Sequence, residues 1–341
     1  MQDMKEGQAP PNFELVFDTL LAYQRSAALK TAINLNIFGA IGEGAGDAAA
    51  IAARCSASER GTRILCDFLV IQGILGKENG RYHHSSTSAL FLDPRSPACV
   101  ASISKFVGND AFRLQDGQFD EIVRGGRTTL AGEGTVEGEN PVWVEFAKHM
   151  APMMAPMAPA LAAIVLEGRD GPMRVLDIAA GHGLFGIEVA RHNRQARVTG
   201  QDWAAVLEVA RQNAAAAGVA DRYEILPGSA FDVEFGGPFD LVLLTNFLHH
   251  FDRSTCVGLL GKVRAALRPG GTAATLEFVP NPDRVSPPMA AAFAMTMLIS
   301  TAHGDAYTFH ELSSMYQEAG FKAVKAHPLP RTPQTAVLGV A

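Results

Sequence analysis

The stretch that decides the fold is Val175–Gly186, which reads VLDIAAGHGLFG. A short apolar strand, Arg174–Ile178, leads through two alanines into the turn Gly181-His182-Gly183 and then into an apolar helix, Leu184–Arg191. Glycine suits such a turn because the backbone must adopt dihedral angles that other residues avoid, and must approach a ligand without an intervening side chain. The stretch therefore predicts a strand, a ligand-binding turn and a helix within an α/β domain.

The glycines alone leave the class of cofactor open. Gly181, Gly183 and Gly186 satisfy the GxGxxG pattern of dinucleotide-binding domains, so a nicotinamide-dependent dehydrogenase is an alternative interpretation. The next predicted strand, Arg197–Gly200, is followed by Asp202, where a carboxylate would accept hydrogen bonds from both ribose hydroxyls of a nucleoside. NAD and S-adenosylmethionine both contain that ribose, so Asp202 does not distinguish them.

The strands that follow distinguish the two cofactors better. A dinucleotide enzyme needs a second half-domain for its nicotinamide end, whereas this sequence continues through only four more strand regions. We predict them at Tyr223–Leu226, at Leu241–Leu244, at Ala273–Phe278, and as a closing pair at Lys322–His327 and Thr335–Val340. An antiparallel pair that closes a parallel sheet favours a methyltransferase over a dehydrogenase.

A helical region that resembles a winged helix precedes this α/β domain. The apolar spacing of Phe13–Leu92 is helical, and it includes two short predicted helices at Asp47–Arg54 and Ser58–Gln72, with Ser58 as the N-cap of the second. A strand, a turn and a second strand are predicted around Glu78-Asn79-Gly80. We expect this region to mediate dimerisation and to close the pocket.

DNA binding is the alternative role of a winged helix. The second helix, which would read the DNA, has only two cations, Arg60 and Arg63, too few to neutralise a track of phosphates. The whole chain has a formal net charge of -6, which provides no field that attracts polyanions. We therefore expect no nucleic-acid partner, and a ligand-responsive DNA-binding protein without catalysis stays as an alternative.

Length and composition predict two globular domains. The chain has 341 residues, of which 48% are hydrophobic and 19% charged, so each half can bury a core of its own. We predict a helical dimerisation domain over residues 1–110, linking helices that contribute to the pocket over 111–165, and a catalytic domain over 166–341. Within the linking part, Arg124–Asn140 is predicted as a surface loop and Pro141–Leu166 as a helix.

The same sequence predicts a cytoplasmic protein without a membrane span. No window approaches the ~18 uninterrupted apolar residues of a spanning helix, and Met1–Pro11 is polar, unlike a secretory signal. The cysteines are far apart, without CxxC spacing or a histidine cluster, which indicates reduced thiols and no metal site. They are Cys55, Cys66, Cys99 and Cys256.

Five motifs together resemble those of the small-molecule O-methyltransferases of the caffeate and hydroxyindole type, particularly their bacterial relatives. They are Val175–Gly183, Gly200–Trp203, Gly228–Asp232, Asn246–Phe251 and Leu267–Gly271. The resemblance covers nearly the whole chain. It implies a class I S-adenosylmethionine-dependent enzyme with a Rossmann-like seven-stranded sheet, preceded by a mainly helical winged-helix domain that forms an intertwined homodimer.

The resemblance also implies which residues bind the cofactor. Its carboxypropyl end is expected against Gly181, its ribose on Asp202 and its adenine beside Trp203. Two positions depart from the family, because Ser229 stands where Asp is usual and Asn246 where a cation is frequent. A hydroxyl supplies no charge to the adenine amine, so we expect modest affinity. The complete set comprises Asp177, Gly181, Gly183, Asp202, Trp203, Gly228, Ser229, Ala230, Phe231 and Asn246.

The catalytic residues follow from the same resemblance. Leu248-His249-His250-Phe251 aligns with the family's L-H-D-W motif, which implies that His249 is the general base. Glu277 matches a carboxylate that orients this base, although a structural salt bridge would also explain a charge in so apolar a strand. The family's second carboxylate aligns with Ala306. Either Asp305 replaces it, or Glu277 acts alone, or the transfer does not depend on strong help from a base.

Methyl-acceptor contacts are expected from two apolar stretches, Pro141–Leu166 and Pro287–Ala302. Their lining suits an aromatic or polyketide-like hydroxyl compound better than a sugar or a nucleic acid. It also suits a prenyl chain, which keeps carbon or nitrogen methylation as an alternative, and methionines in such stretches also serve as ordinary core packing. The predicted acceptor contacts are Met150, Met154, His250, Phe293 and Met297.

Overall fold

The chain divides into two compact units that part between Ser104 and Lys105. The computed structural model describes residues 11–109, 112 and 118–341. The domain boundary predicted between residues 110 and 111 therefore lies outside the described residues. In the described part of the chain, no helix is long and apolar enough to cross a membrane.

The N-terminal unit consists of short helices and one hairpin. Its helices are α1 (Phe13–Leu20), α2 (Ala22–Asn34), α3 (Ile37–Gly42), α4 (Ala48–Arg54), α5 (Glu59–Ile71) and α6 (Ser86–Phe91), and α7 (Ile103–Val107) crosses the division between the units. The strands β1 (Leu75–Glu78) and β2 (Arg81–His84) pair antiparallel through the turn Asn79-Gly80.

The helix pair and hairpin predicted from the sequence are confirmed. The Asp47 side chain accepts a hydrogen bond from the Ala50 amide (2.8 Å) and begins α4, and the Ser58 hydroxyl accepts one from the Gly61 amide (3.1 Å) and begins α5. Behind them lies a separate apolar core of buried side chains, which includes Ile37, Phe38, Ile51, Leu69 and Tyr82. The N-terminal unit thus has a core of its own.

The C-terminal unit is built on a seven-stranded sheet with the order β5-β4-β3-β6-β7-β9-β8. Its strands are β3 (Met173–Ile178), β4 (Ala196–Asp202), β5 (Tyr223–Pro227), β6 (Phe239–Thr245), β7 (Leu267–Phe278), β8 (Lys322–Pro328) and β9 (Gln334–Val340). β3 pairs parallel with β4 and β6, whereas β9 pairs antiparallel with both β7 and β8. The predicted fold class and the closing antiparallel pair are confirmed.

This topology decides where a ligand can bind. The chain runs outward from β3 to β4 and β5, and then returns to place β6 on the other side of β3. Such a reversal opens a crevice at the carboxyl ends of the central strands, where α/β sheets bind their ligands. The glycine turn after β3, Asp202 at the end of β4 and Asn246 after β6 all lie at this edge.

The segment predicted as one helix over Pro141–Leu166 is three helices, so that prediction was wrong. They are α9 (Val142–His149), α10 (Ala151–Met154) and α11 (Met157–Val165), preceded by α8 (Gln118–Gly125). Proline has no amide hydrogen and is tolerated mainly in the first turn of a helix, where that hydrogen has no partner. Pro152, Pro156 and Pro159 all lie in such positions, so each break follows from proline.

The remaining helices are α12 (Leu184–His192), α13 (Ala204–Ala216), α14 (Arg253–Ala266), α15 (Pro288–Ser300) and α16 (Phe309–Glu318), with short 3-10 helices at Ala220–Arg222 and Leu248–His250.

Arg124–Asn140 is not simply a surface loop, contrary to the prediction. Thr128 and Thr135 are buried, and their hydroxyls donate to the carbonyls of Ile299 (2.8 Å) and Ser300 (3.0 Å). The last carbonyls of a helix lack partners within it, and this segment supplies partners at the end of α15.

Leu267–Gly271, the last of the five motifs, forms the beginning of β7. The end of the chain pairs with it there, since the Gly270 amide donates to the Ala341 carbonyl (3.2 Å) and the Ala341 amide to the Gly271 carbonyl (2.9 Å). The pairing with the C-terminus extends the strand through a proline and two glycines that would otherwise indicate a turn.

Candidate active site

A cavity of about 390 Å³ lies at the carboxyl ends of the central strands, entirely within the C-terminal unit. Its size and largely apolar lining are typical of a site for a small molecule. Most of the residues predicted from the sequence line it. These are Met150, Met154, Gly181, Asp202, Trp203, Gly228, Ser229, Ala230, Phe231, Asn246, His249, His250, Phe293 and Met297.

The glycine turn forms the floor of one end of the cavity. Gly181 has φ +57°, and a Cβ there would lie 3.4 Å from the Phe146 ring. Its amide donates to Asp202 Oδ2 (2.9 Å), which ties the turn after β3 to the end of β4. The turn and the predicted ribose-binding carboxylate are thus joined by a direct hydrogen bond.

Gly183 does not line the cavity, so the predicted cofactor contact is not found there. It precedes α12 with φ +75°, and a Cβ would lie 2.9 Å from both the Ala210 Cβ and the Tyr223 hydroxyl. Gly183 instead allows α13 and β5 to pack closely beneath the turn.

Gly183→Ala is expected to lower the free energy of unfolding by about 1–3 kcal/mol. The alanine would have to adopt a left-handed backbone conformation, and its Cβ would clash with Ala210 and Tyr223. The matched control is Gly258→Ala in α14, where an added Cβ meets nothing within 4 Å. Alanine should be neutral or stabilising in that helix. Urea unfolding followed by circular dichroism measures both, and equal stabilities of the two variants would contradict the packing role.

Asp177 was predicted to bind cofactor, but it lies beneath the turn and away from the cavity. Its side chain is fully buried, and Oδ2 accepts a hydrogen bond from the Gly186 amide (3.0 Å). Burial raises the pKa of this carboxyl to about 8, although the bond from Gly186 opposes the rise. Asp177 therefore anchors the first turn of α12 from below, which the motif alone does not reveal.

The wall beside the turn is formed by Asp202, Trp203 and the loop Gly228–Phe231. Asp202 Oδ1 accepts a hydrogen bond from the Trp203 amide (2.7 Å), and its other oxygen accepts the Gly181 amide. Burial raises the pKa of the Asp202 carboxyl to about 6. Asn246 lines the same region with φ +55°, and its side-chain oxygen accepts a hydrogen bond from the Gln334 amide.

His249 and Glu277 form a buried pair beside this wall. The His249 imidazole lines the cavity, with its Nδ1 hydrogen-bonded to Glu277 Oε2. The other oxygen of Glu277 accepts the amides of Phe247 (3.1 Å) and Leu248 (2.9 Å) and the Thr275 hydroxyl (3.2 Å). Glu277 thus lies behind His249 rather than in the cavity. A carboxylate acceptor at Nδ1 leaves Nε2 as the basic nitrogen.

Asp305 does not supply a second carboxylate to His249. Its side chain forms an ion pair with Arg284 (3.1 Å), and only its backbone amide contacts this region, donating to the His249 carbonyl (2.9 Å). Ala306, which aligns with the family's second carboxylate, is buried. Among the alternatives that the sequence left open, the geometry favours Glu277 acting alone.

His250 lines the cavity next to His249. Its ring lies 5.0 Å from that of Trp143 and 4.3 Å from that of His249, and its buried Nδ1 has no hydrogen-bond partner among the described residues. Burial, followed by the neighbouring His249, holds the pKa of His250 well below the usual range for histidine. His250 is therefore a neutral imidazole at physiological pH.

Sequence reasoning missed most of the aromatic lining. Trp143 and Phe146 lie three residues apart on one face of α9, a spacing that the sequence does contain. Phe278 stacks on Phe293 with 3.9 Å between ring centroids, but no motif joins these positions. The lining residues that were not singled out as binding residues include Phe106, Phe112, Trp143, Phe146, His182, Phe185 and Phe278.

Comparisons with known proteins agree with this geometry. A model of the O-methyltransferase domain matches residues 145–322, and a model of the O-methyltransferase dimerisation domain matches residues 17–94. The described residues contain no group of three or more His, Cys, Asp or Glu side chains that could hold a metal ion.

Two curated relatives and one solved structure extend the likeness to nearly the whole chain. Acetylserotonin O-methyltransferase of Mus musculus is 28% identical over 96% of this chain and 88% of the mouse protein. The 3-hydroxy-5-methyl-1-naphthoate 3-O-methyltransferase of Streptomyces sahachiroi is 27% identical over 91% of this chain and 90% of its own length. A crystal structure from Nostoc punctiforme, assigned as an O-methyltransferase, superposes with a TM-score of 0.92 at 47% identity, covering 97% of this chain and all of that one.

The resemblance drawn from the five motifs is thereby confirmed. A dimerisation domain precedes a Rossmann-like sheet, and the cavity at the edge of that sheet contains a histidine paired with a carboxylate. The chain belongs to the O-methyltransferase family and is an enzyme of that family, whose methyl donor is S-adenosylmethionine.

Proposed function

We propose that this enzyme transfers the methyl group of S-adenosylmethionine to a hydroxyl group of a small aromatic or polyketide-like compound, with His249 as general base. The observation that carries the proposal is the buried His249–Glu277 pair in the wall of an aromatic cavity beside the nucleoside-binding turn. The names of the mouse and Streptomyces relatives, which specify acetylserotonin and a hydroxynaphthoate, support acceptors of this class.

The residues at the cofactor end fit an adenosyl group. The two oxygens of Asp202 match the ribose hydroxyls, and Trp203 and Phe231 offer aromatic faces beside the position expected for adenine. Gly181 leaves space where a side chain would fill the turn. When bound, the cofactor supplies an electrophilic methyl group on a sulfonium.

His249 then has to accept one proton. A free phenol keeps most of its proton in the presence of a neutral imidazole, so full deprotonation before transfer is not required. His249 takes the proton from the acceptor hydroxyl as that oxygen is methylated, when the proton becomes more acidic. Glu277 fixes the ring through Nδ1, and its negative charge stabilises the imidazolium that forms. Much of the remaining rate should come from the aromatic walls, which hold the acceptor in line for transfer.

The acceptor end is lined by Met150, Met154, Phe293, Met297 and His250. Phe293 packs at 4.8 Å from the His249 ring, and the unpartnered Nδ1 of His250 offers a hydrogen bond to a neutral polar group. Apolar aromatic surface with one neutral polar group suits a planar phenol better than a charged sugar phosphate.

A panel of phenols, naphthols and hydroxyindoles incubated with S-adenosylmethionine tests the proposal. Mass spectrometry detects the added methyl group, and NMR of the product identifies the methylated atom. We expect an aryl methyl ether. A product methylated on carbon or nitrogen would favour the alternative reaction, and a thermal shift with NAD but not with S-adenosylhomocysteine would contradict the proposal altogether.

Cofactor binding is expected to weaken in acid through Asp202, whose pKa burial raises to about 6. The ionised carboxylate accepts both ribose hydroxyls, so binding is complete above this pKa and is lost as the carboxyl takes up a proton below it. Between pH 7 and pH 5 the Kd for S-adenosylhomocysteine should rise about tenfold, in proportion to the loss of the ionised form. Isothermal titration calorimetry measures this change.

Asp202→Asn is the control for this dependence. The amide binds the ribose more weakly at pH 7 but has no proton to gain, so its Kd should stay flat across the same range. A wild-type Kd that is independent of pH, or an Asp202→Asn variant that keeps the acid-induced rise, would assign the effect to another group.

The proposed assembly is a homodimer formed through the N-terminal unit. Helix α1 exposes Phe13, Val16, Phe17 and Leu20 along one face, at the spacing of an amphipathic helix, and none of its residues is buried within one chain. We propose a cytoplasmic location, which the four free cysteine thiols suit. We also propose that the protein binds neither nucleic acid nor membranes. Light scattering of the full chain tests the assembly, and a monomer at micromolar concentration would contradict it.

A further inference from the structure

His182 occupies the middle of the glycine turn and lines the cavity, although only 2% of its surface is exposed. Its Nδ1 accepts a hydrogen bond from the Leu184 amide (3.2 Å), so the proton of the neutral ring lies on Nε2. The ring stacks on Phe146, with 5.9 Å between centroids and 18° between planes. The side-chain amide of Asn213 donates a hydrogen bond to the His182 carbonyl (2.8 Å), and this bond helps to fix the turn.

The Nε2–H of His182 has no hydrogen-bond partner among the described residues. A buried donor without a partner costs free energy, and such a group usually has a partner in the state in which the protein functions. Burial lowers the pKa of His182 to about 4, so the ring stays neutral at physiological pH. This nitrogen is therefore a donor and not an acceptor.

Several backbone amides of the turn are already engaged within the protein. The Gly181 amide donates to Asp202, the Gly183 amide to the Ala180 carbonyl (2.7 Å), and the Leu184 amide to His182 itself. Anionic groups usually bind to free amides at such a helix N-terminus, where the helix dipole also favours negative charge. The imidazole N–H of His182 is a further donor without a partner at the start of α12.

We propose that Nε2–H of His182 binds the carboxylate at the amino-acid end of S-adenosylmethionine. This inference rests on the proposed function. The ammonium and the sulfonium of the cofactor offer no acceptor for this donor, the ribose is assigned to Asp202, and the adenine is assigned to the side of Trp203 and Phe231. The carboxylate, which only accepts hydrogen bonds, is the group that remains as a partner for this neutral donor. His182 is thus a cofactor-binding residue that recognises the amino-acid end through its side chain.

Two ligands separate this role from a structural one. S-adenosylhomocysteine has the carboxylate, whereas 5′-methylthioadenosine has the same nucleoside and thioether without the amino-acid end. His182→Phe keeps the aromatic contact with Phe146 and removes the N–H. By calorimetry, we expect this variant to bind S-adenosylhomocysteine at least about tenfold more weakly and 5′-methylthioadenosine with unchanged Kd. His182→Gln, which retains a side-chain donor, should recover part of the loss.

Each other outcome has a definite meaning. An equal loss for both ligands would show that His182 only shapes the turn, and unchanged binding of both would show that it does not contact the carboxylate; either result overturns the inference. Wild-type protein that binds neither ligand would instead overturn the proposed function. If His182→Phe does not fold, NMR of the wild-type protein decides, since the Nε2–H resonance should shift downfield with S-adenosylhomocysteine and not with 5′-methylthioadenosine.

Discussion

His249→Ala is expected to lower kcat by about 10²–10⁴-fold, the usual contribution of a positioned general base. The imidazole lines the cavity, and Glu277 engages its Nδ1, so its Nε2 is the nitrogen available to the acceptor hydroxyl. Gly181 and Asp202, which we propose to bind the cofactor, follow β3 and β4, whereas His249 follows β6, so the Kd for S-adenosylhomocysteine should change little. Steady-state turnover of an acceptor found in the phenol panel, together with calorimetry, measures the two effects separately.

The matched control is His310→Ala on the exposed side of α16, which removes an imidazole outside the cavity and should leave kcat unchanged. Wild-type turnover by His249→Ala would exclude the base. The reaction would then depend on placement of the acceptor alone, as an already ionised or carbon nucleophile would allow.

The sheet was predictable because its signals are local. Apolar strands separated by helices determine a parallel α/β sheet, and the strand ends must then meet at one edge. Gly181, Asp202 and His249 follow short strands, so their proximity follows from the strand order. Glu277, near the end of β7, meets His249 for the same reason.

Side-chain direction within a motif was not predictable in the same way. Asp177 and Gly183 belong to the same stretch as Gly181, yet neither lines the cavity. The Asp177 side chain lies beneath the turn and anchors α12, and the missing side chain of Gly183 allows α13 to pack there. The resemblance also left Asp305 open as a substitute for the missing carboxylate. A displacement of one residue turns its side chain toward Arg284 instead of His249.

The aromatic lining of the cavity was less predictable, because it depends on packing outside the sheet. Trp143, Phe146 and Phe293 come from helices whose positions follow from tertiary contacts and not from a repeat or a motif. The prolines that divide α9, α10 and α11 change which faces of this segment meet the cavity. This lining therefore comes from the part of the chain that sequence reasoning resolved least well.

Glu277→Gln is expected to reduce kcat by about 10²–10⁴-fold while the fold persists. The glutamine oxygen can still accept from Phe247 and Leu248, but its amide group then faces His249 and donates to Nδ1. That exchange places the ring proton on Nε2, so His249 presents a donor to the acceptor hydroxyl where a lone pair is needed. A carboxylate-to-amide change beside a catalytic histidine acts by this wrong tautomer in serine proteases, at a cost of about 10⁴-fold.

Glu277→Ala separates orientation from anchoring. It leaves the Phe247 amide, the buried Leu248 amide and the His249 ring without their partner, so the free energy of unfolding should fall by about 3–5 kcal/mol in addition to the loss of turnover. Glu224→Gln, at an exposed position of β5, is the control and should change neither quantity. Turnover and urea unfolding of all three variants distinguish the two roles. Full activity in Glu277→Gln would show that the carboxylate serves only to hold the 3-10 helix that contains His249, whereas wild-type stability in Glu277→Ala would show that it does not anchor this helix.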